Sequence, residues 1–303
     1  MDSTQRTGII YIVLSVTGYA FFPTFARLLQ QSGLPSLDIV TWRFAVAAPL
    51  FWLIVLSRRS PPSGNHLPRY HLLGMGALLS IGALCAFFGL ERIPVSTYIV
   101  LFYTYPAIVA LISALRGERL PLMSWLALGL TLVGVALTAP DFSQGFSGGN
   151  MEGMVLALVN ALVVAIMVIL SSRLLRGHTE LARASAWSVT GACLVFLALA
   201  LVRPLGAPTQ PTEWLVLLAM ASFSTVFPIF FLNAGIQKLG PTKASIMGTI
   251  EPVFTTILAV LFLGETLQPI QLLGGLLILV SLILLQVRRN PQPQSAPSSL
   301  AAD

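Results

Sequence analysis

Two charged side chains stand inside long apolar runs, where charge is costly. Glu251 follows Lys243 by eight residues, and Arg43 follows Asp38 by five. At ~1.5 Å rise per residue on a helix, Glu251 is roughly 12 Å from its charged end and Arg43 roughly 7–8 Å from its own. Ionisable groups at membrane depth are rare and mark solute or proton paths, or else structural pairs. A carboxyl near the midplane could take up and release a proton, or it could hold backbone groups that Pro252 frees. An arginine stays charged. It could grip a carboxylate by a two-pronged contact, reach out to headgroups, or pair with Asp38 or Glu91. The two depths differ, so no direct Arg43–Glu251 pair is required.

Other side chains could shape a solute chamber. Tyr98, Tyr103 and Tyr105 cluster with Thr104 in one run. A tyrosine offers an apolar ring and a hydroxyl, which suits aromatic or amphipathic solutes. On an unbroken helix Tyr98 and Tyr105, seven apart, share a face and Tyr103 lies off it. Pro106 and Pro252 each remove a helical hydrogen bond near mid-run and are candidate hinges; Phe22-Pro23 and Phe227-Pro228 repeat the theme. Asn160, Asn233, Trp187 and Thr249 are further candidates, with interhelical hydrogen bonding or packing as the alternative role.

The elements that carry these residues follow from composition. Of 303 residues, 56% are hydrophobic and 9% charged, against about 25% charged in soluble domains. That excludes a soluble globular domain and a disordered chain. The runs are too long and unbroken for an outer-membrane barrel. Ten apolar stretches, near 8–29, 38–57, 70–90, 96–115, 121–139, 152–172, 184–202, 213–233, 243–263 and 269–287, fit a helix across ~30 Å of hydrocarbon. The reading is an all-α membrane protein of ten transmembrane helices. The stretch after Arg289 reads as a disordered tail.

Charge placement gives orientation. With ten spans, thirteen of the 17 Lys and Arg residues fall on the side of both termini and the even connections. Arg27, Arg92 and Arg203 fall on the other, and Arg43 lies within a span. The rule that basic residues stay inside places both termini in the cytoplasm. The net charge of +6 is thereby explained without nucleic acid. Cys85 and Cys193 lie in apolar runs and suggest packing rather than a metal site. His66, His71 and His178 all fall in basic connections. No phosphate loop, HExxH or nucleophile elbow is present, so neither cofactor, metal nor enzymatic chemistry is expected.

The chain also repeats itself. A shift of 146 pairs Arg27-Leu28-Leu29 with Arg173-Leu174-Leu175, Gly89-Leu90-Glu91-Arg92-Ile93 with Gly235-Ile236-Gln237-Lys238-Leu239, and Pro106 with Pro252. One residue further on, Gly117-Glu118 matches Gly264-Glu265, a pattern suited to ending one helix and opening the next. The expected units are 1–145 and 146–289, each a five-helix repeat, with 290–303 as the tail. Five being odd, the second repeat enters the membrane from the opposite face. Such inverted repeats serve alternating access around a central site. Gly129, Gly134, Gly274 and Gly275 on the fifth and tenth spans permit close helix contact, within the chain or across a homodimer.

Thr249-Ile250-Glu251-Pro252-Val253 followed by Leu261-Phe262-Leu263-Gly264-Glu265-Thr266-Leu267, with Tyr105-Pro106-Ala107 through Gly117-Glu118-Arg119-Leu120 as its first-half copy and Trp42-Arg43-Phe44 before Ala47-Ala48, resembles the EamA-type transporters of the drug/metabolite transporter superfamily. The resemblance covers the chain to about Arg289. It implies a carrier exporting amino acids, other small metabolites or drugs, with a cavity walled by the first four helices of each half and the fifth and tenth helices outside it. Tyr105 stands where the second half has Glu251, so acid-based chemistry would be one-sided. The expected function is a secondary transporter of small organic solutes in the plasma membrane (a bacterial inner membrane), with a proton as candidate coupling ion. A multidrug exporter or an uncoupled facilitator is the alternative within transport. A membrane sensor or scaffold, and an intramembrane enzyme, are the alternatives from other classes.

Overall fold

The computed structural model describes residues 3–57, 67–90, 92–93, 95–117, 120–138, 151–263 and 268–287. Fourteen α-helices occur among them: α1 (Ser3–Ala20), α2 (Phe22–Gln31), α3 (Ser36–Ser57), α4 (Arg69–Leu90), α5 (Val95–Phe102), α6 (Tyr105–Leu115), α7 (Leu122–Thr138), α8 (Met151–Leu174), α9 (Leu181–Ala200), α10 (Pro211–Ala221), α11 (Phe227–Leu239), α12 (Pro241–Gly248), α13 (Glu251–Leu263) and α14 (Pro269–Val287). A π-turn over Ser222–Val226 joins α10 to α11. No strand occurs among the described residues. Glu91, Arg58, Arg59, His66, Glu118, Arg119, Gly264-Glu265 and the expected tail lie outside them.

Each apolar stretch of the sequence carries helix, and prolines set where the helices break. Pro23, Pro106 and Pro252 each stand second in a new helix, after breaks at Phe21, Tyr103-Thr104 and Thr249-Ile250. A proline is tolerated there because a first-turn N–H has no intrahelical partner to lose. Helix ends use glycine where the backbone turns left-handed: Gly117 (φ 87°) follows α6, and Gly240 (φ 81°) separates α11 from α12. Six helical stretches are long and apolar enough to cross a membrane: Ser3–Gln31, Ser36–Ser57, Arg69–Gly89, Met151–Leu174, Leu181–Ala200 and Pro211–Leu239. Val100–Leu115, Leu122–Leu137 and Leu272–Ser281 are shorter apolar helices. Many large apolar side chains, such as Leu56, Leu115 and Leu215, face outward, as a lipid-facing surface requires. The protein is a multi-pass helical membrane protein.

Packing has a regularity that strand-like or random bundles lack. α4 lies along α8 and α9, α1 along α11, α3 along α9, and α7 along α14. α8 also meets α5 and α6, while α1 meets α12 and α13. Exchanging the first five apolar stretches for the last five maps α4–α8 onto α11–α1, and α6–α8 onto α13–α1. The α7–α14 contact is close because a Cβ on Gly134 would meet the Gly274 carbonyl at 2.8 Å. The small residues expected to permit close contact therefore serve, in this pair, a seam inside the chain. Gly129 faces open space. One core cluster gathers Ile12, Val16, Tyr103, Tyr105 and Ile169; another gathers Phe44, Phe51, Val189 and Phe196. Phe44 stacks on Phe196 at 5.3 Å.

Candidate functional site

Glu251 opens α13 immediately after the Thr249-Ile250 break. Pro252 lacks the N–H that would have bonded Gly248, so polar groups gather here. Thr249, fully buried, turns its hydroxyl back to the Ile246 carbonyl at 2.5 Å. The Tyr103 hydroxyl lies within hydrogen-bonding reach of the Glu251 carboxyl, and Tyr105 lies within its electrostatic range. Tyr105 donates to the Ser245 carbonyl at 3.2 Å. Its hydroxyl stands 2.8 Å from where a Cβ on Gly248 would be, so a larger residue there would displace it. Glu251 is surrounded by protein yet keeps accessible surface.

Arg43 occupies a second polar node on α3. Its Nε donates to Thr225 Oγ1 at 2.6 Å and its Nη2 to the Ser224 carbonyl at 3.3 Å. Pro228 removes the donor that this carbonyl would meet one turn on, which makes it available to the guanidinium. The π-turn presents both residues; such turns recur at functional sites. Thr225 also returns a hydrogen bond to the Met220 carbonyl at 3.1 Å, while the buried Ser224 hydroxyl has no partner. The guanidinium lies 4.5 Å from the Phe22 ring centre and 5.3 Å from that of Phe44, a stabilising arrangement for a desolvated cation. Among the described residues no carboxylate pairs with it. Asp38, one expected partner, instead pairs with Arg203 and accepts the Gly206 N–H at 3.1 Å. Trp42 Nε1 donates to the Gly206 carbonyl at 2.8 Å, fastening the α9–α10 connection onto α3.

Tyr19 links the two nodes. It lies within the electrostatic range of both Arg43 and Glu251 and keeps accessible surface though surrounded by protein. Arg43 and Glu251 make no ion pair with each other. The centre therefore offers a cation, a carboxyl and three phenols along one path. Such a set has the groups to hydrogen-bond a dipolar solute and to exchange a proton. No group of three metal-ligating side chains occurs among the described residues.

The sequence candidates divide between this centre and its surroundings. Glu251, Tyr103 and Tyr105 come together where the α5–α6 break faces the α12–α13 break; Pro106, Thr249 and Pro252 stand at those breaks, with Arg43 at the neighbouring node. Tyr98 goes elsewhere: Asn160 donates to its hydroxyl at 2.6 Å. Across the Tyr103-Thr104 break the rings of Tyr103 and Tyr105 lie 6.1 Å apart, and Phe102 contacts Tyr98 at 6.3 Å and Tyr105 at 5.5 Å. Asn233 bridges Ser171, at 2.6 Å, and Ser185, at 2.9 Å, joining α11 to α8 and α9. Trp187 packs edge-on against Trp52 at 5.2 Å. Tyr19, Ser224 and Thr225 were absent from the sequence candidates. The polar Ser222-Phe223-Ser224-Thr225 run just before Phe227-Pro228 was the available signal.

Comparisons with known proteins agree with this architecture. The family model described as "EamA-like transporter family" matches residues 6–139 and 151–287. The uncharacterized transporter YcbK of Bacillus subtilis (strain 168) is 25% identical over 277 residues, covering 88% of each chain. The pseudopaline exporter CntI of Pseudomonas aeruginosa (strain PAO1) is 27% identical over 284 residues, covering 92% of this chain and 96% of that one. A solved crystal structure superposes with a TM-score of 0.77 at 16% identity, covering 94% of this chain and 96% of the other, which shows a common fold. The chain belongs to the EamA-like transporter family.

Proposed function

We propose that this protein is a secondary transporter that exports small organic solutes, amino acids or related metabolites, by alternating access. Two five-span units, 1–145 and 146–289, insert in opposite senses with both termini in the cytoplasm of a bacterial inner membrane. Two successive matches of one family model, the packing scheme preserved on exchanging the halves, and the thirteen-to-three placement of basic residues support that arrangement. The observation that carries the function is the carboxyl of Glu251 at a helix break, set among Tyr103, Tyr105 and Tyr19 and open to accessible space. Glu251 carries a proton, and Arg43 receives an anionic group of the solute by its two-pronged contact. Solute and proton compete for, or share, the same crevice, and the facing breaks at Pro106 and Pro252 bend as it opens to one side or the other.

Purified protein in proteoliposomes tests this reading. A panel of amino acids, sugars, nucleobases and organic cations is first ranked by thermal stabilisation. The stabilising class is then offered with and without an imposed pH gradient. Gradient-driven accumulation of a zwitterionic or anionic class is expected. Flux indifferent to the gradient would replace the proton-coupled carrier with a facilitator, and no flux of any stabilising solute would remove transport by this chain alone. A specific feature favours a multidrug variant as second reading. Phe21, Phe223, Phe227 and Phe231 form a continuous series of ring contacts 4.7–5.4 Å apart, beside the Arg43 node. Preferential stabilisation by aromatic organic cations would select it.

A further inference from the structure

A polar cavity of about 230 Å3 lies where the ends of α6 and α8 meet the start of α12. Arg116, Arg173 and Arg176 line it together with Ser113, Ser172 and Pro241. Ser113 is buried and is held by the Thr242 hydroxyl at 3.3 Å, so the wall between α6 and α12 is built rather than incidental. The nearby Glu180 is already engaged by Arg183 at 2.6 Å. No carboxylate among the described residues lines the cavity. All three arginines are exposed and line one space, where their guanidiniums repel each other. α12 adds the positive end of its dipole beside Pro241. A multiply hydrogen-bonding anion relieves this repulsion, and guanidinium forks match phosphate oxygens better than point charges do.

We propose that this cavity binds a phosphate group. Its place at helix ends, which the proposed topology sets at the cytoplasmic interface, suits an anionic phospholipid; its size also admits a soluble phosphate. The shared chemistry is a phosphate held by Arg173 and Arg176 from α8 and Arg116 from α6, with the serine hydroxyls completing its shell. Occupancy ties α6, α8 and α12 together, and α6 and α12 are the two helices adjoining the breaks that carry Tyr103 and Glu251.

The test is thermal stabilisation of the full chain in neutral detergent, by inorganic phosphate in one arm and short-chain phosphatidylglycerol in the other. Chloride at equal ionic strength is the control. Wild type is expected to be stabilised by at least one of the two. Stabilisation by the lipid alone names the headgroup as the source, and stabilisation by phosphate names the free anion. Each arginine removed is expected to weaken binding about tenfold, in Arg116→Gln and in the Arg173→Gln/Arg176→Gln pair. Should the pair not fold, Arg116→Gln alone decides the matter, because it leaves α8 untouched. The proposal is overturned if neither ligand exceeds chloride, or if the folded variants respond as wild type does.

Discussion

The seam between α4 and α9 and the seam between α3 and the π-turn occupy equivalent places when the halves are exchanged, yet they are built from opposite materials. In the first, straight helices touch backbone to backbone. A Cβ on Gly76 would lie 2.1 Å from the Ser188 carbonyl, and one on Gly191 would lie 2.3 Å from that of Leu73. Ser80 turns inward to the Gly76 carbonyl at 3.0 Å. In the second, the helix is distorted, its carbonyls are exposed to a side-chain donor, and a guanidinium fills the gap. One architecture thus supplies a sealed contact at one place and a polar, adaptable contact at the other. On the proposed inverted arrangement the two lie toward opposite membrane faces, as an alternating carrier requires of its gates.

This contrast can be broken from either side. Gly76→Leu should abolish the folded protein, whereas Gly76→Ala should cost about 1–3 kcal/mol, read as a lowered melting temperature in detergent. An unchanged melting temperature would show that the α4–α9 seam is looser than described. At the other seam, Arg43→Met should do the reverse. Removing a cation that has no ionic partner among the described residues is expected to leave stability unchanged or raised, while solute flux falls about tenfold or more by loss of a charged contact. Parallel melting and flux measurements separate the two roles; lost stability with intact flux would make Arg43 structural. Asp38→Asn removes the charge that Arg203 pairs with and one of the two oxygens that accept from Arg203 and the Gly206 N–H, and should cost about 1–2 kcal/mol. Its melting curve shows whether the α9–α10 connection is firmly fastened. Asn160→Leu, outside both seams, should cost only about 0.6 kcal/mol, typical of an interhelical hydrogen bond in a membrane protein. A larger loss would bring the Tyr98–Asn160 contact into the centre.

Much of the helical layout was legible because charges, prolines and apolar run lengths are written in the chain. Arg43 and Glu251 stood out for the same reason: a charge inside a long apolar run has few explanations. Which tyrosines would meet Glu251 was not legible from periodicity. The helix breaks at Tyr103-Thr104 between Tyr98 and Tyr105, and their hydroxyls find different partners, Asn160 for one and the Ser245 carbonyl for the other. Tyr19 had no charged residue beside it in sequence, and its role comes wholly from α1 lying against α11 and α13. The π-turn was invisible in outline because one extra residue per turn leaves no compositional mark, although its serines and threonine do. Asn233 and Trp187 are polar or aromatic residues that packing absorbs into helix seams, which composition alone does not distinguish from a chamber wall.

The most direct test compares wild type with Glu251→Gln in proteoliposomes, measuring accumulation driven by a pH gradient alongside solute exchange at equal pH. If Glu251 carries the proton, the variant keeps exchange and loses gradient-driven accumulation. Accumulation equal to wild type would contradict that role and leave Glu251 as a structural support for the break it opens.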